Sequence, residues 1–222
     1  MDLRAAFPWW VYFSLKSRAD RRAALLPQLG VAGIEAEWFP TMDGRDLHGE
    51  ARGFLSPGRR ALALTMRRLL REAGWRRAGS VFILQDDVVF HPEFAGRAAA
   101  LTLPEDWGMF YFGCQHIETP ERHSPGLVRV RRALDMHAVA VRADCFHRVR
   151  KVLREGGKRT GGGAYPDLQM SRLHGEIPTY AAFPNLIWQG EGWSDLMQRD
   201  YGNYEPDGSQ RLWRNAVRHL AR

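Results

Sequence analysis

The stretch Val81 to Leu84, four apolar residues followed by Gln85, Asp86 and Asp87, constrains this chain more than any other. No polar side chain interrupts the run, so it reads as a short strand buried on both faces. The two carboxylates stand where that strand ends. Aspartates end elements routinely by folding into turns. In open α/β sheets, however, the carboxyl ends of strands are also where ligands bind. Both readings stay open on this stretch alone.

The rest of the chain alternates strand and helix signals. WWVYFSL predicts a first strand, and SRADRRAALLPQLG a helix capped by Ser17, favoured by Asp20 at its positive end and stopped by Gly30. IEAEWFP predicts a second strand, and a polar loop leads to SPGRRALALTMRRLLREAG. There Ser56 is placed to cap, Pro57 suits the first helical position, and Ala61, Leu62, Leu69 and Leu70 form an apolar stripe. After the Val81 strand come a short helix from Pro92, a strand in WGMFYFG, and a hairpin from LVRVRR and MHAVAVR. A helix in ADCFHRVRKVLREGG precedes the basic, glycine-rich GGKRTGGGAYPDLQ, a loop entering a helix at Pro166. TYAAFP and NLIWQG read as short strands, and residues 207–222 as a basic C-terminal helix. The expectation is a single α/β domain over residues 1–222, with a mixed, mostly parallel sheet and helices on both faces.

Charge narrows the partners only in part. The balance is +7, and lysine contributes only Lys16, Lys151 and Lys158, so arginine carries nearly all the positive charge. Arginine forks suit phosphate and carboxylate groups, whether on nucleic acid, an anionic membrane face or a small molecule. Cys114 and Cys145 give neither a disulfide framework nor metal-ligand spacing. No run approaches the roughly 18 apolar residues of a membrane span. AAFPWWVYFSL has no cleavage site and reads as a strand, so a cytoplasmic location is expected.

Extended backbone alternates faces, which would put Gln85 and Asp87 together and Asp86 opposite. Such a pair suits contact with the sugar of a nucleotide and a carboxylate on Mg²⁺ or Mn²⁺, which take few protein ligands beside diphosphate oxygens. The histidines read as core or loop residues: His137 in an apolar strand, His91 before a helix, and His116, His123 and His174 without ligand spacing. Trp188 and Trp193 suit either core packing or stacking on a sugar ring.

Several blocks, taken in order, resemble glycosyltransferase family 25, the lipopolysaccharide and collagen galactosyltransferase type with a GT-A fold. They are VYFSLKSRADRR, GIEAEWFPTMDGRDL, LSPGRRALALTMRRLLREA, VFILQDDVVFHPEF, MHAVAVRADCFHRV, PDLQM and QGEGWSDL, and together they span most of residues 9 to 197. The resemblance implies a nucleotide-sugar donor, commonly UDP-linked, a divalent metal (Mn²⁺ or Mg²⁺), and transfer to an acceptor hydroxyl. It implies Asp87 as metal ligand with Asp86 supporting it, and Ser14, Leu15, Asp43 and Gly44 around the nucleoside. Gln85 stands where the family has glutamate, and Thr65 where it has serine. Arg18, Arg21 and Arg22 are candidates for phosphate, although a solvated helix face is the expectation for at least two of them.

Met66 in place of histidine and Arg59 in place of glutamate are departures, and Gln85 removes a charge beside the metal. An inverting transfer needs a base for the acceptor proton. Asp167, opening a helix after the glycine-rich loop, is the first candidate and Asp195 the second, with a helix-start carboxylate and a diphosphate-pocket residue as their respective alternatives. The GGKRTGGG loop is expected to close over the donor. The acceptor is expected to be a saccharide, lipid-linked or part of a lipopolysaccharide core, with a modified DNA base as second class; the lipid-linked case adds peripheral contact with the inner membrane face. The competing expectation is a catalytically silent module of the same scaffold that binds nucleic acid or glycan.

Overall fold

A computed structural model describes residues 1–47, 56–156, 165–196, 198–202 and 204–210. In chain order the elements are α1 (Leu3–Ala6), β1 (Trp10–Ser14), α2 (Ala19–Ala32), β2 (Ala36–Pro40), α3 (Pro57–Trp75), β3 (Ser80–Gln85), β4 (Val88–Phe90) and α4 (Phe94–Ala100). Then follow β5 (Met109–His116), β6 (Glu121–Ser124), β7 (Leu127–Arg129), β8 (Ala133–Arg142), α5 (Phe146–Gly156), α6 (Pro166–Ser171), β9 (Thr179–Ala182), β10 (Ile187–Gln189), β11 (Gly192–Ser194) and β12 (Arg199–Tyr201). The glycine-rich loop, at residues 157–164, and the basic tail beyond residue 210 lie outside the described residues.

Eight strands form one sheet in the order β2-β1-β3-β8-β5-β9-β7-β6. Strands β2, β1, β3, β5, β9 and β6 run one way, and only β8 and β7 run the other. This is the mixed, mostly parallel α/β sheet that the alternation predicts, with helices on both faces. Val81 and Ile83 pack with Met66, Leu69 and Leu70 of α3 and Val149 and Leu153 of α5 on one face. Phe82 and Leu84 pack with Leu25 and Leu29 of α2 and Phe94 and Ala98 of α4 on the other. Burial on both sides is why the strand carries no polar alternation. No described helix is long and apolar enough to cross a membrane.

Three local expectations are corrected. LVRVRR and MHAVAVR do not form a hairpin with each other: β7 pairs with β6 and β9, whereas β8 inserts antiparallel between β3 and β5. The long β8, buried over most of its length, takes a central place in the sheet, whereas the three-residue β7 lies next to its edge. Helix α2 passes Gly30 and ends at Gly33, whose φ of 68° supplies the left-handed cap. Its N-terminus is at Arg18, without a side-chain cap from Ser17. By contrast, α3 starts as its sequence predicts, with the Ser56 hydroxyl accepting from the Arg59 amide and Pro57 in the first turn.

Two small antiparallel pairs, β4 with β10 and β11 with β12, stand apart from the main sheet. Gln28 of α2 anchors the first, donating to the Val88 carbonyl and accepting from the Phe90 amide. Strand β10 also runs tightly under β5, where a Cβ on Gly113 would lie 1.6 Å from the Ile187 carbonyl oxygen. Gly113→Ala should therefore destabilise the protein by about 3 kcal/mol, seen as a lower urea midpoint, because backbone must move. Gly96→Ala, in helix α4 with open space around it, should instead stabilise by about 0.5–1 kcal/mol.

Candidate functional site

Strand β3 ends at Gln85, and Asp86 and Asp87 form the turn into β4. Because the extended backbone stops there, the alternation expected to separate Asp86 from its neighbours does not hold. Gln85, Asp86 and Asp87 all border one cavity of about 510 Å³. Arg21 of α2 reaches both acids, with Nη1 3.0 Å from Asp86 Oδ1 and 3.5 Å from Asp87 Oδ2. It also donates to the Trp193 carbonyl, tying β11 to the same point. Burial first, and then the adjacent charge of Asp87, push the Asp86 carboxyl above its ordinary range, against the opposing pull of Ser14 and Arg21. Asp87 Oδ2 accepts from Gln189 Nε2 at 2.9 Å, while its buried Oδ1 has no hydrogen-bond partner among the described residues.

The three arginines at the start of α2 brace this cavity, and none forms a solvated face. Arg18 Nη1 lies 2.5 Å from Asp195 Oδ2 and its guanidinium also holds Asp20. Arg22 donates to Ser14 Oγ and to the Leu15 and Lys16 carbonyls, and lies 4.3 Å over the Trp38 ring. Ser14, Leu15, Asp43, Gly44 and Asp195 border the same cavity. Gly44 is required there by close approach, since a Cβ would sit 2.6 Å from the Gly58 amide nitrogen at the start of α3. Thr65 is not on the wall. It is fully buried behind it, donating to the Ala61 carbonyl and accepting from the Met42 amide, so it holds the loop that carries Asp43.

A second cavity of about 270 Å³ adjoins the first. The two share Leu62, Gln85, Gln189, Ser194 and Leu196, so the two glutamines stand at their junction. Asp167 lies in this inner cavity, on the first turn of α6. Its carboxylate accepts from the Leu168 amide at 2.8 Å and the Asp135 amide at 3.3 Å. Burial, and secondarily the charge of Asp135, push its pKa up to about 6.

Asp135 was not singled out in the sequence, although an acid inside the apolar β8 run is the same kind of interruption as that of Asp86 and Asp87. It has a φ of 67°, left-handed for a non-glycine residue, and accepts from the Tyr204 hydroxyl at 2.7 Å. Arg59 is buried beside this cavity, 4.0 Å from the Tyr165 ring, while Met66 is wholly in the core.

The histidines behave as core groups where they are buried. Burial pushes His116 and His137 down to about 4 and His174 down to about 3. Trp188 is core, and Trp193 is half exposed on the rim of the larger cavity. No cluster of three or more His, Cys, Asp or Glu suited to a metal occurs among the described residues.

No family model and no curated protein matches the chain. Among solved structures, it is similar to a glycosyltransferase involved in glycosylation of the major capsid of PBCV-1, with 13% identity, coverage of 80% of this chain and 83% of that one, and a TM-score of 0.48. It is also similar to a mutant Drosophila β-1,4-galactosyltransferase 7 in complex with manganese, UDP-Gal and xylobiose. That match has 11% identity, covers 89% of this chain and 76% of that one, and has a TM-score of 0.46.

The raised pKa of Asp167 has a stability consequence with a definite sign. The fold favours the protonated acid, so this contribution is fully present below about pH 4 and is lost as pH rises through about 6. Asp167→Asn should leave stability near pH 4 little changed and raise the unfolding free energy at pH 8 by about 2–3 kcal/mol. Urea denaturation at the two pH values checks both halves.

Proposed function

We propose that this chain is a glycosyltransferase that moves a sugar from a nucleotide-sugar donor in the larger cavity to an acceptor hydroxyl in the inner one. The observation that carries the reading is the meeting of the two cavities at Gln85 and Gln189, with a braced carboxylate pair on one side and a buried carboxyl on the other. A reacting sugar placed at that junction lies between a site for a charged leaving group and a site for a base.

Ser14, Leu15, Asp43 and Gly44 would receive the nucleoside, with UDP the donor type that the sequence resemblance favours. The diphosphate would run toward Arg21, whose guanidinium can move from the carboxylates to phosphate oxygens. Asp87 fits a hard cation, because its Oδ1 is a buried acceptor with no hydrogen-bond partner among the described residues, and because Mg²⁺ and Mn²⁺ accept few protein ligands beside phosphate. When bound, that cation would neutralise charge on the leaving diphosphate. Asp195, already committed to Arg18, would hold this end of the pocket in shape and not act as the base.

Asp167 would take the proton from the acceptor hydroxyl. Its pKa of about 6 leaves it ionised at neutral pH yet a stronger base than an ordinary aspartate. Attack from its side of the junction, opposite the departing diphosphate, gives inversion at the sugar carbon. Tyr165 and Tyr201 on the inner wall offer ring faces to a saccharide acceptor. The silent-scaffold reading has one observation in its favour, the neutralisation of the carboxylates by Arg21. Against it stands Asp167, kept buried at an energetic cost that a binding module has no use for.

A panel of nucleotide sugars, assayed for nucleotide release with and without Mn²⁺, should identify one donor that is turned over. Asp87→Ala should lower that turnover at least about 100-fold, and unchanged turnover would defeat the assignment. The rate should fall as pH drops through about 6, as Asp167 takes up its proton, and Asp167→Asn should abolish transfer at every pH.

A further inference from the structure

Helices α3 and α5 pack against each other on one face of the sheet, and their outer surfaces are strongly basic. Together they hold nine basic residues and two acids, Glu72 and Glu155. Arg67, Arg71 and Trp75 recur every four residues along one stripe of α3, as Arg150 and Arg154 do along α5. The two stripes face one another across the seam, since Arg67 feels the charges of Arg154, Arg150 and Arg71 together.

These four arginines repel. Burial first, and then those three neighbours, push the Arg67 pKa down. None of the four makes an ion pair with a described acid, whereas Glu72, the one acid of α3, is taken by Arg76. The Nε of Arg150 is buried without a hydrogen-bond partner among the described residues. Trp75 projects at 74% exposure from the end of the same stripe, with the Arg71 guanidinium 5.1 Å from its ring. Four clustered cations without an ion pair among the described residues, one of them with a buried and unused Nε, repel one another, and an anion would relieve that repulsion.

We propose that the α3–α5 seam is a docking surface for an anionic lipid bilayer, with Arg67, Arg71, Arg150 and Arg154 on headgroup phosphates and Trp75 at the headgroup level. Guanidinium forks match phosphate oxygens in pairs. An exposed tryptophan beside cations suits the membrane interface, where one side of the ring is apolar and the other wet. A single nucleic-acid strand would need successive aromatic platforms, and this stripe offers one. The placement fits the fold: Arg59 at the inner cavity and Arg67 lie on the same helix, eight residues or about 12 Å apart. A docked chain would therefore hold its cavities near the bilayer surface. The inference does not depend on the catalytic reading, because it concerns binding alone.

Sedimentation with vesicles tests it. The full chain should bind equimolar phosphatidylcholine–phosphatidylglycerol vesicles, ignore pure phosphatidylcholine, and lose binding as salt is raised. Each arginine at an anionic surface adds about fivefold to the partition coefficient. Arg71→Gln with Arg154→Gln, both at exposed positions where folding is not at stake, should lower it about 25-fold. Arg97→Gln with Arg131→Gln removes the same charge from exposed ion pairs elsewhere and should change it little. Trp75→Ala should weaken binding at every salt concentration. Equal loss in both arginine pairs would reduce the effect to net charge and overturn the proposal. So would binding to a single-stranded oligonucleotide that depends on Arg71 and Arg154 while the anionic vesicles are ignored.

Discussion

Two neighbouring carboxylates at the end of a strand buried on both faces are the constraint from which the site is built. Asp86 and Asp87 follow a segment whose four apolar residues are wholly inaccessible to solvent. Carboxylates in that position lose hydration and repel each other, which raises the cost of ionising either one. Arg21 offsets that cost by bridging both, and Gln189 adds a donor to Asp87. Each partner comes from a distant part of the chain. Charge compensation at this one turn therefore ties α2, β10 and β11 together, and these elements contribute to the walls of the larger cavity.

The inner cavity follows the opposite logic. Among the described residues no arginine hydrogen-bonds to Asp167, which is held by two backbone amides, one of them belonging to Asp135. Those amides favour the ionised carboxylate and pull its pKa down, but burial and the charge of Asp135 outweigh them, so the group stays basic. The left-handed backbone of Asp135 is what turns its N–H toward Asp167, and Tyr204 secures that conformation from the far end of the described chain. One carboxylate pair is thus bridged by an arginine, while in the other Asp167 is held by backbone amides and raised toward neutral pH by burial and by Asp135.

The sequence revealed those features that depend on local pattern. Apolar runs in Val81–Leu84 and in the first strand, and the Ser56–Pro57 helix start, concern neighbours along the chain, and they appear where expected. Gly30 misled because a glycine tolerates the helix interior as well as the cap, and Gly33 three residues later does the capping. The predicted hairpin failed because strand pairing is decided by distant partners; β8 had to separate β3 from β5. At the site, the carboxylate pair was legible as an interruption of hydrophobicity. The bracing roles of Arg18, Arg21 and Arg22 were not, since a charged residue at a helix start reads the same whether it faces water or a buried acid. Asp135 and Tyr204 lie 69 residues apart and meet only in three dimensions.

Gln85, which removes a charge where the resembled family has glutamate, finds a physical account in this arrangement. It stands at the junction of the two cavities, with Asp86 and Asp87 beyond it on one side and Asp135 and Asp167 on the other. A glutamate there would add a further negative charge to a partly buried site that already holds two acid pairs, Asp86 with Asp87 and Asp135 with Asp167. Like charges lining one partly buried cavity repel more strongly than they would in water. That repulsion would push the Asp167 carboxyl further up and would compete for Arg21's hold on Asp86. A neutral amide keeps the donor and acceptor capacity of the side chain, able to meet a sugar hydroxyl in either sense. On this account the substitution preserves the separation between a compensated acid pair and a basic one, which is the property the proposed chemistry needs.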